Sequence, residues 1–298
     1  MLKKLLKSIE IIALSFLMFS CGVSFKTSET VKLANSSYSS KDYETAYVKY
    51  RSTINEYNNS GKQVPGELLN NAGVSAFYVD KVDTAIVFLE GAKKQENIDA
   101  FGYYTLALSY RKVDNLSREI TNFELCNQKF PNDTIVNSAN EELFDAYVRS
   151  ENWDQAKEMW SKLNLKKRGE VRFLTDYLQV MQATSSEKDV YDIANQILKI
   201  SKNSIPAQAA LADYYYSYAD SLYVSEMKAY QQNQTMKQYN KLLAALKKVN
   251  SNFRSARDIY EKLYKINPDS LYAKRLGNIY TRFENKKKAS YYYKKAGQ

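Results

Sequence analysis

The segment KDYETAYVKY, residues 41–50, returns in altered form twice further along the chain. It carries an aromatic residue, an alanine three positions later and a second aromatic residue four positions after that. ENWDQAKEMW, at residues 151–160, and SNFRSARDIY, at residues 251–260, keep the same spacing. Steps of three and four residues place side chains on one side of an α-helix, so each segment predicts a helix with a small residue at the centre of its packed face.

A second pattern of small residues precedes several of these segments. Residues 276–296 read Leu-Gly-x2-Tyr and then Ala-x3-Tyr-x2-Ala, and residues 72–92 repeat this as Ala-Gly-x2-Ala and then Ala-x3-Leu-x2-Ala. Another copy begins at Leu106 and closes at Pro131. Small residues suit positions where two helices cross closely, so the combined pattern predicts pairs of packed helices.

The two patterns together resemble the tetratricopeptide repeat, which consists of two antiparallel helices joined by a tight turn. The equivalent positions on the second helices are Ala46, Ala85, Glu119, Ala156, Ala194, Ala256 and Ala289. They are separated by 39, 34, 37, 38, 62 and 33 residues, and the family unit is about 34 residues long. The resemblance implies an all-α, right-handed solenoid of about seven helix-turn-helix units over residues 29–298; the alternative is a set of unrelated amphipathic helices. Glu119 departs from the small-residue rule and is expected to loosen its helix crossing.

The interval of 62 residues requires an extension within the sixth unit. Residues 207–250 contain neither glycine nor proline, and apolar residues recur with helical spacing on both sides of QQNQT at 231–235. We therefore predict a long helical hairpin over about 207–250 that turns at QQNQT and projects as an arm. The alternative is an additional degenerate repeat stacked in the ordinary way.

The start of the chain resembles a bacterial lipoprotein signal. Three lysines within the first seven residues precede an apolar run over residues 11–19, and a serine stands directly before Cys21. A membrane-spanning helix needs about 20 apolar residues, so this run is too short to span a bilayer. The resemblance implies that residues 1–20 are removed, that Cys21 is acylated, and that residues 21–28 form a short linker. The alternatives are an ordinary signal peptide and an uncleaved inner-membrane anchor.

The residues after Cys21 indicate a location. Gly22 stands where an aspartate would retain a lipoprotein in the inner membrane, which resembles the pattern of outer-membrane lipoproteins. The following segment, GVSFKTS, contains no acidic residue, whereas acidic runs mark surface export in some Gram-negative groups. We therefore expect a periplasm-facing anchor in the outer membrane of a Gram-negative bacterium.

The composition argues against an enzyme. The chain has no histidine, and with Cys21 acylated its second cysteine, Cys126, has no partner for a disulfide,. Histidine-dependent nucleophiles and histidine-rich zinc sites are thereby excluded. The nine glycines form no phosphate-binding loop,. We expect no catalytic residue, no metal and no cofactor apart from the lipid on Cys21. Cys126 lies on an apolar helical stripe and is expected to pack as a small apolar residue.

In tetratricopeptide proteins the first helix of each pair lines a concave face, so binding residues are sought there. The candidates are Tyr38, Phe77, Tyr78, Tyr104 and Arg111 in the first three pairs, and Lys274, Asn278 and Arg282 in the last. Residues 271–298 carry eight basic side chains and a single acidic one. That end could be a solvated capping face or could hold an acidic partner, lipid phosphates or a carboxylate, and Lys274 with Asn278 resembles half of the family's carboxylate clamp. Several of the aromatic candidates could instead be needed for packing.

These observations predict a non-enzymatic scaffold or adaptor that binds envelope proteins or peptides and is tethered to the membrane by its lipid. In plan it resembles the repeat-built lipoprotein of the outer-membrane barrel-assembly machinery. The alternative is a glycan-binding lipoprotein of the starch-utilisation type, which the 26 tyrosines suggest. Nucleic acid is not expected as a partner outside the inner membrane, in spite of a net charge of +10. The sequence leaves the oligomeric state open.

Overall fold

The computed structural model describes residues 28–297, and within that range every regular element is a helix. The signal sequence, Cys21 and most of the expected linker lie outside the described residues. Residue 28, which was expected in the linker, is already helical. The chain divides into two compact units at Ser150 and Glu151. Within residues 28–297, no helix combines the length and the apolar character that crossing a membrane requires.

Seven helices are described in the N-terminal unit. They are α1 (28–39), α2 (Tyr43–Asn59), α3 (Gly66–Tyr78), α4 (Val82–Lys94), α5 (Ala100–Lys112), α6 (Leu116–Lys129) and α7 (Ile135–Arg149). From α2 to α7, each helix packs on the next, and α5 also contacts both α3 and α7. The first helices of successive pairs therefore form a continuous row in this unit.

The C-terminal unit contains eight helices in its described part. They are α8 (Trp153–Lys162), α9 (Leu165–Arg168), α10 (Val171–Thr184), α11 (Glu187–Ile200), α12 (Ile205–Gln232), α13 (Met236–Ile266), α14 (Ser270–Arg282) and α15 (Lys286–Lys295). The predicted all-α architecture is confirmed for residues 28–297, with the single-turn helix α9 added between α8 and α10.

The long hairpin of the sixth pair is also confirmed. α12 has 28 residues and α13 has 31, and they pack along each other. The three residues between them, 233–235, belong to the QQNQT segment that was predicted to turn. An additional degenerate repeat is excluded, because each of the two helices is unbroken.

The small residues of the repeat pattern lie where helices approach most closely. The six alanines at the equivalent second-helix positions are all buried. On the first helices, a Cβ atom added to Gly73 would stand 2.6 Å from Leu89 Cγ, and one added to Gly277 would stand 2.7 Å from the ring of Tyr293. Each glycine therefore sets how closely the two helices of its pair can approach.

Tight turns with one geometry join four of the helix pairs. Lys41, Asp80, Asp114 and Glu284 have φ between 54° and 62°, in the left-handed region. The next residue's N–H donates to a carbonyl five residues back, as from Lys81 to Ala76 at 2.8 Å and from Asn115 to Tyr110 at 2.9 Å. These are Schellman closures of the first helix. The residue after each left-handed position is the N-cap of the second helix, and Asp42, Asn115 and Asn285 also accept a backbone hydrogen bond there through their side chains.

Glu119 corrects one expectation about the third pair. It was expected to loosen the helix crossing, but its side chain is fully buried. Its Oε1 accepts hydrogen bonds from Arg111 Nε at 2.7 Å and from Arg149 Nη2 at 2.5 Å. A buried carboxylate is tolerated when it is paired. Ion pairs therefore stabilise this helix crossing, whereas a small alanine occupies the equivalent position in the other helix pairs.

Candidate functional site

Aromatic side chains from four helices of the N-terminal unit form a continuous row. The rings of Tyr43 and Tyr78 stack with centroids 4.3 Å apart and planes 11° from parallel. Tyr38 meets Tyr43 edge to face at 5.9 Å. On the other side, Tyr78 stacks on Phe101 at 6.1 Å, and Phe101 stacks on Tyr104 at 6.4 Å. We call these five residues the aromatic row.

The positions of these residues in their helices explain why they meet. Tyr38 lies in the last turn of α1, and Tyr43 is the first residue of α2, so the tight turn at Lys41 brings their rings together. Tyr78 is the last residue of α3. Phe101 and Tyr104 are three residues apart on α5 and therefore point to one side of that helix,.

The aromatic row is partly buried and partly open to solvent. Tyr78 is 46% exposed, and the other four side chains are intermediate. Burial raises the pKa of Tyr38, Tyr43 and Tyr78 above the ordinary phenol value. These hydroxyls therefore stay protonated at neutral pH and can donate hydrogen bonds from a mostly apolar strip.

Phe77 lies beside the aromatic row but has a different role. It packs against the small core cluster of Tyr47, Ala76 and Ala85, and the ammonium of Lys112 lies 5.2 Å from its ring centroid. Phe77 is therefore a packing residue, which is the alternative that the sequence left open for the aromatic candidates.

One end of the aromatic row meets a cluster of charged groups. Tyr104 lies 5.7 Å from the ring of Phe123, and the Arg111 guanidinium lies 5.9 Å from the same ring. Arg111 pairs with Glu119 and Glu142, and its Nη2 lies 3.5 Å from Asp145 Oδ2. We call Arg111, Arg149, Glu119, Glu142 and Asp145 the charged cluster.

The charged cluster is internally paired. Arg149 shares Glu119 with Arg111 and also contacts Asp145 at 2.9 Å. Two guanidinium groups therefore face three carboxylates, which leaves a formal charge of −1. Arg111 was predicted as a free binding residue, but its guanidinium is held by these carboxylates.

The C-terminal candidates lie in the other unit, where Asn278 and Arg282, but not Lys274, line a cleft of about 700 Å³. Arg282 lies on the ring of Tyr223 with 3.7 Å to the centroid, and 4.7 Å from that of Phe253. Asn278 donates to the hydroxyl of Tyr216 at 2.9 Å and accepts from that of Tyr293 at 3.0 Å.

These contacts bear on the carboxylate clamp that Lys274 and Asn278 suggested. Lys274 is exposed, whereas the Asn278 carboxamide is engaged by a tyrosine on each side. To bind a carboxylate, Asn278 would have to give up one of these hydrogen bonds.

Three residues of the N-terminal surface were not singled out from the sequence. Tyr43 was assigned to the repeat motif as a packing residue, and Phe101 was not considered. Arg149 lies on α7, 30 residues after Glu119 in the sequence, and joins the charged cluster from there. The signal that could have located Tyr43 is its spacing of 35 residues from Tyr78, about one repeat,.

The ionisation of Tyr104 provides a test of its environment. Burial, reinforced by the carboxylate of Glu142, raises the pKa of its phenol from 10.0 to about 12. The neutral phenol therefore contributes stability that is fully present below pH 10.0 and is lost as the pH rises towards about 12,. We expect the wild type to lose more unfolding free energy than Tyr104→Phe across this interval, in denaturant titrations at each pH. Equal losses in the two proteins would contradict this environment.

Comparisons with known proteins support the fold. A scan against protein-family models gives no match to the sequence, and a search among curated proteins gives none either. Among solved structures, the C-terminal part of a TPR repeat-containing protein from Cytophaga hutchinsonii matches with a TM-score of 0.52 at 11% identity. The match covers 89% of this chain and 93% of that one. At this identity the likeness shows the fold alone, which is the all-helical tetratricopeptide type.

Two further solved structures are similar at lower scores. A tetratricopeptide repeat protein from Parabacteroides merdae gives a TM-score of 0.46 at 12% identity, covering 91% of this chain and 99% of that one. YrrB, described as a TPR protein with an unusual peptide-binding site, gives a TM-score of 0.48 at 12% identity, covering 60% of this chain and 88% of that one.

Proposed function

We propose that this protein is a non-enzymatic scaffold that binds partner proteins or peptides on the first-helix face of its N-terminal unit. In this proposal, acyl chains on Cys21 hold it at the outer membrane, facing the periplasm. The observation that carries the binding role is the aromatic row, which runs across α1, α2, α3 and α5 and ends at the charged cluster.

The aromatic row has the chemistry of a peptide-binding surface. Tyrosine supplies a large apolar contact area with few rotatable bonds, and its hydroxyl can bond to a peptide backbone. Such residues dominate the energy of protein interfaces. The charged cluster adds charged groups of both signs beside Tyr104, which favours a polar residue of the partner at that end.

The same geometry reduces the open aromatic surface that the glycan-binding alternative would use. A sugar ring binds against the open face of an aromatic side chain. In the aromatic row, the rings of Tyr43 and Tyr78 cover each other's faces at 4.3 Å. In the C-terminal unit, Trp160 is stacked on Tyr177 at 4.1 Å with planes 4° apart. One face of each of these rings is therefore already occupied.

The binding role is tested by crosslinking in the cell envelope, followed by quantitative mass spectrometry of the co-purified proteins. We expect the double variant Tyr43→Ser/Tyr78→Ser to lower partner recovery about tenfold or more, because it removes two central aromatic contacts. The matched control is Tyr291→Ser, which removes a tyrosine that is 52% exposed on α15. Recovery unchanged in the double variant, or reduced equally in the control, would overturn this role.

The anchor is tested separately. Each buried methylene contributes about 0.8 kcal/mol, and stable attachment needs more than one chain; the several chains of a mature lipoprotein meet that requirement. We expect Cys21→Ser to release the protein from the membrane fraction and to abolish incorporation of labelled palmitate. Wild-type protein with an unmodified Cys21 would refute the anchor and leave the binding role standing.

A further inference from the structure

The long hairpin extends well beyond the helix that packs on it. α12 and α13 have 28 and 31 residues, whereas α14 has 13. At a rise of 1.5 Å per residue, the excess of about 15 residues corresponds to about 22 Å of hairpin. We call residues 224–248 the distal arm.

α14 lies along one face of the hairpin and ends at Arg282. Asn278, on α14, bonds to Tyr216 of α12. The last residue of α14, Arg282, lies on Tyr223 of α12 and near Phe253 of α13. The 700 Å³ cleft lies beside the last turn of α14 and is also lined by residues of both long helices, Leu246 among them.

The face covered by α14 continues along the distal arm. On α13, steps of three and four residues lead outward from Phe253 through Asn250, Leu246, Leu243, Tyr239 and Met236. On α12, the corresponding series is Tyr216, Asp220, Tyr223, Met227 and Tyr230. Because such steps keep side chains on one side of a helix, both series border one groove. The rings of Tyr230 and Tyr239 are 5.8 Å apart.

This groove is apolar and open to solvent along the distal arm. Leu243 is 42% exposed, Tyr239 is 41% exposed and Met236 is 73% exposed. A row of exposed apolar side chains in helical register is unusual on a solvated helix, whose apolar residues normally face a core. Methionine and tyrosine also adapt readily to a docked partner.

The charge of the distal arm selects the partner. The distal arm contains one acidic residue, Glu226, and no further acidic residue follows it before Asp258. The basic residues of this interval are Lys228, Lys237, Lys241, Lys247, Lys248, Arg254 and Arg257. The five lysines are all exposed. A surface with this charge steers acidic partners towards it and disfavours basic ones.

We propose that the distal arm is a docking surface for an acidic, amphipathic helix of a partner protein. The groove is suited to a helix because α14 already fills its inner part. The apolar face of the docked helix covers Tyr239, Leu243 and Leu246. Its acidic side chains lie beside Lys247, which follows Leu246 at the edge of the groove, and within the field of the arm's other lysines. This surface is independent of the aromatic row, which lies in the other unit and has a different chemistry.

The tip of the arm favours a protein partner over a lipid bilayer. Residues 231–235 are Gln-Gln-Asn-Gln-Thr, and all five side chains are exposed. A hairpin that inserted its tip among acyl chains would carry apolar residues there, because burying uncompensated amides costs several kcal/mol in total.

The test uses the full-length protein and two labelled synthetic peptides. One peptide carries leucines at helical spacing with glutamates on its other faces, and the second has lysine in place of each glutamate. We expect the acidic peptide to bind saturably in fluorescence anisotropy, more weakly as salt is added. Leu243→Ser and Lys247→Glu should each weaken this binding about tenfold or more. The control, Val87→Ser, removes an apolar residue of α4 that is 66% exposed and should leave the affinity unchanged.

Three results would overturn the proposal. They are equal binding of the two peptides, no saturation up to about 1 mM, and affinity unaffected by Leu243→Ser. Binding to phosphatidylglycerol vesicles that requires Leu243, without binding of the acidic peptide, would assign the surface to lipid. Tyr43→Ser/Tyr78→Ser should bind the acidic peptide as the wild type does, so a failure here is separate from a failure of the aromatic row.

Discussion

Replacing Glu119 with alanine is expected to lower the free energy of unfolding by about 3 kcal/mol. The Glu119 carboxylate is fully buried and is shared by Arg111 and Arg149. Its removal leaves two guanidinium groups with fewer partners and a space at a helix crossing. Breaking a buried ion pair costs about 3–5 kcal/mol, and the low end applies because Arg111 and Arg149 keep contacts with Asp145. Urea denaturation followed by circular dichroism measures the change.

The matched control for Glu119 is an exposed ion pair of similar geometry. Glu158 lies 2.8 Å from Lys162 on α8, and its side chain is mostly exposed. Since exposed pairs contribute at most about 1 kcal/mol, Glu158→Ala should change stability little. A Glu119→Ala protein as stable as Glu158→Ala would show that the charged cluster does not hold the third helix pair together.

The second large effect is expected at Gly73, where α3 and α4 cross. A Cβ atom at this position would stand 2.6 Å from Leu89 Cγ and 3.1 Å from the Leu89 backbone nitrogen. The side chain could rotate away, but the backbone can move only if the helices separate. We expect Gly73→Ala to lower the unfolding free energy by about 2 kcal/mol, as overpacking of a core does.

Gly91 provides the control for this substitution within the same helix pair. A Cβ atom there meets only the tip of Leu69, at 3.0 Å, and alanine favours a helix over glycine by about 1 kcal/mol. Gly91→Ala should therefore leave stability unchanged or raise it. If the two variants shift the urea midpoint alike, close approach at Gly73 is not what positions the pair.

The parts of the fold that local patterns encode could be predicted from the sequence. Ala46, Ala156 and Ala256 identified buried crossing points, because a small residue flanked by aromatics at helical spacing has a single packed face. The polar segment at 231–235 located the turn of the long hairpin, since no other break interrupts the helical periodicity on either side of it.

Contacts between residues distant in sequence could not be predicted in this way. Arg111 was a binding candidate because it occupies an exposed first-helix position in the repeat pattern, and Glu142 and Asp145 reach it only when α7 packs beside α5. The same holds for Asn278, whose partner Tyr216 is 62 residues away. Repeat patterns report which side of a helix is packed, but not which polar groups meet there.

The candidate site was predicted in its outline. Tyr38, Tyr78 and Tyr104 were all singled out from the sequence, and all three lie in the aromatic row. Tyr43 and Phe101, which link them, were missed: Tyr43, on the second helix α2, was assigned to packing within the repeat motif, and Phe101 was not considered.

Site-specific photo-crosslinking at position 78 tests the central claim most directly. Benzoylphenylalanine in place of Tyr78 would put the reactive group within the aromatic row, and the same residue at Val87 would put it on the exposed side of α4. Irradiation of living cells should yield discrete adducts with envelope proteins from position 78 and none from position 87. Adducts from position 87 alone, or the same adducts from both positions, would contradict partner binding on the first-helix face.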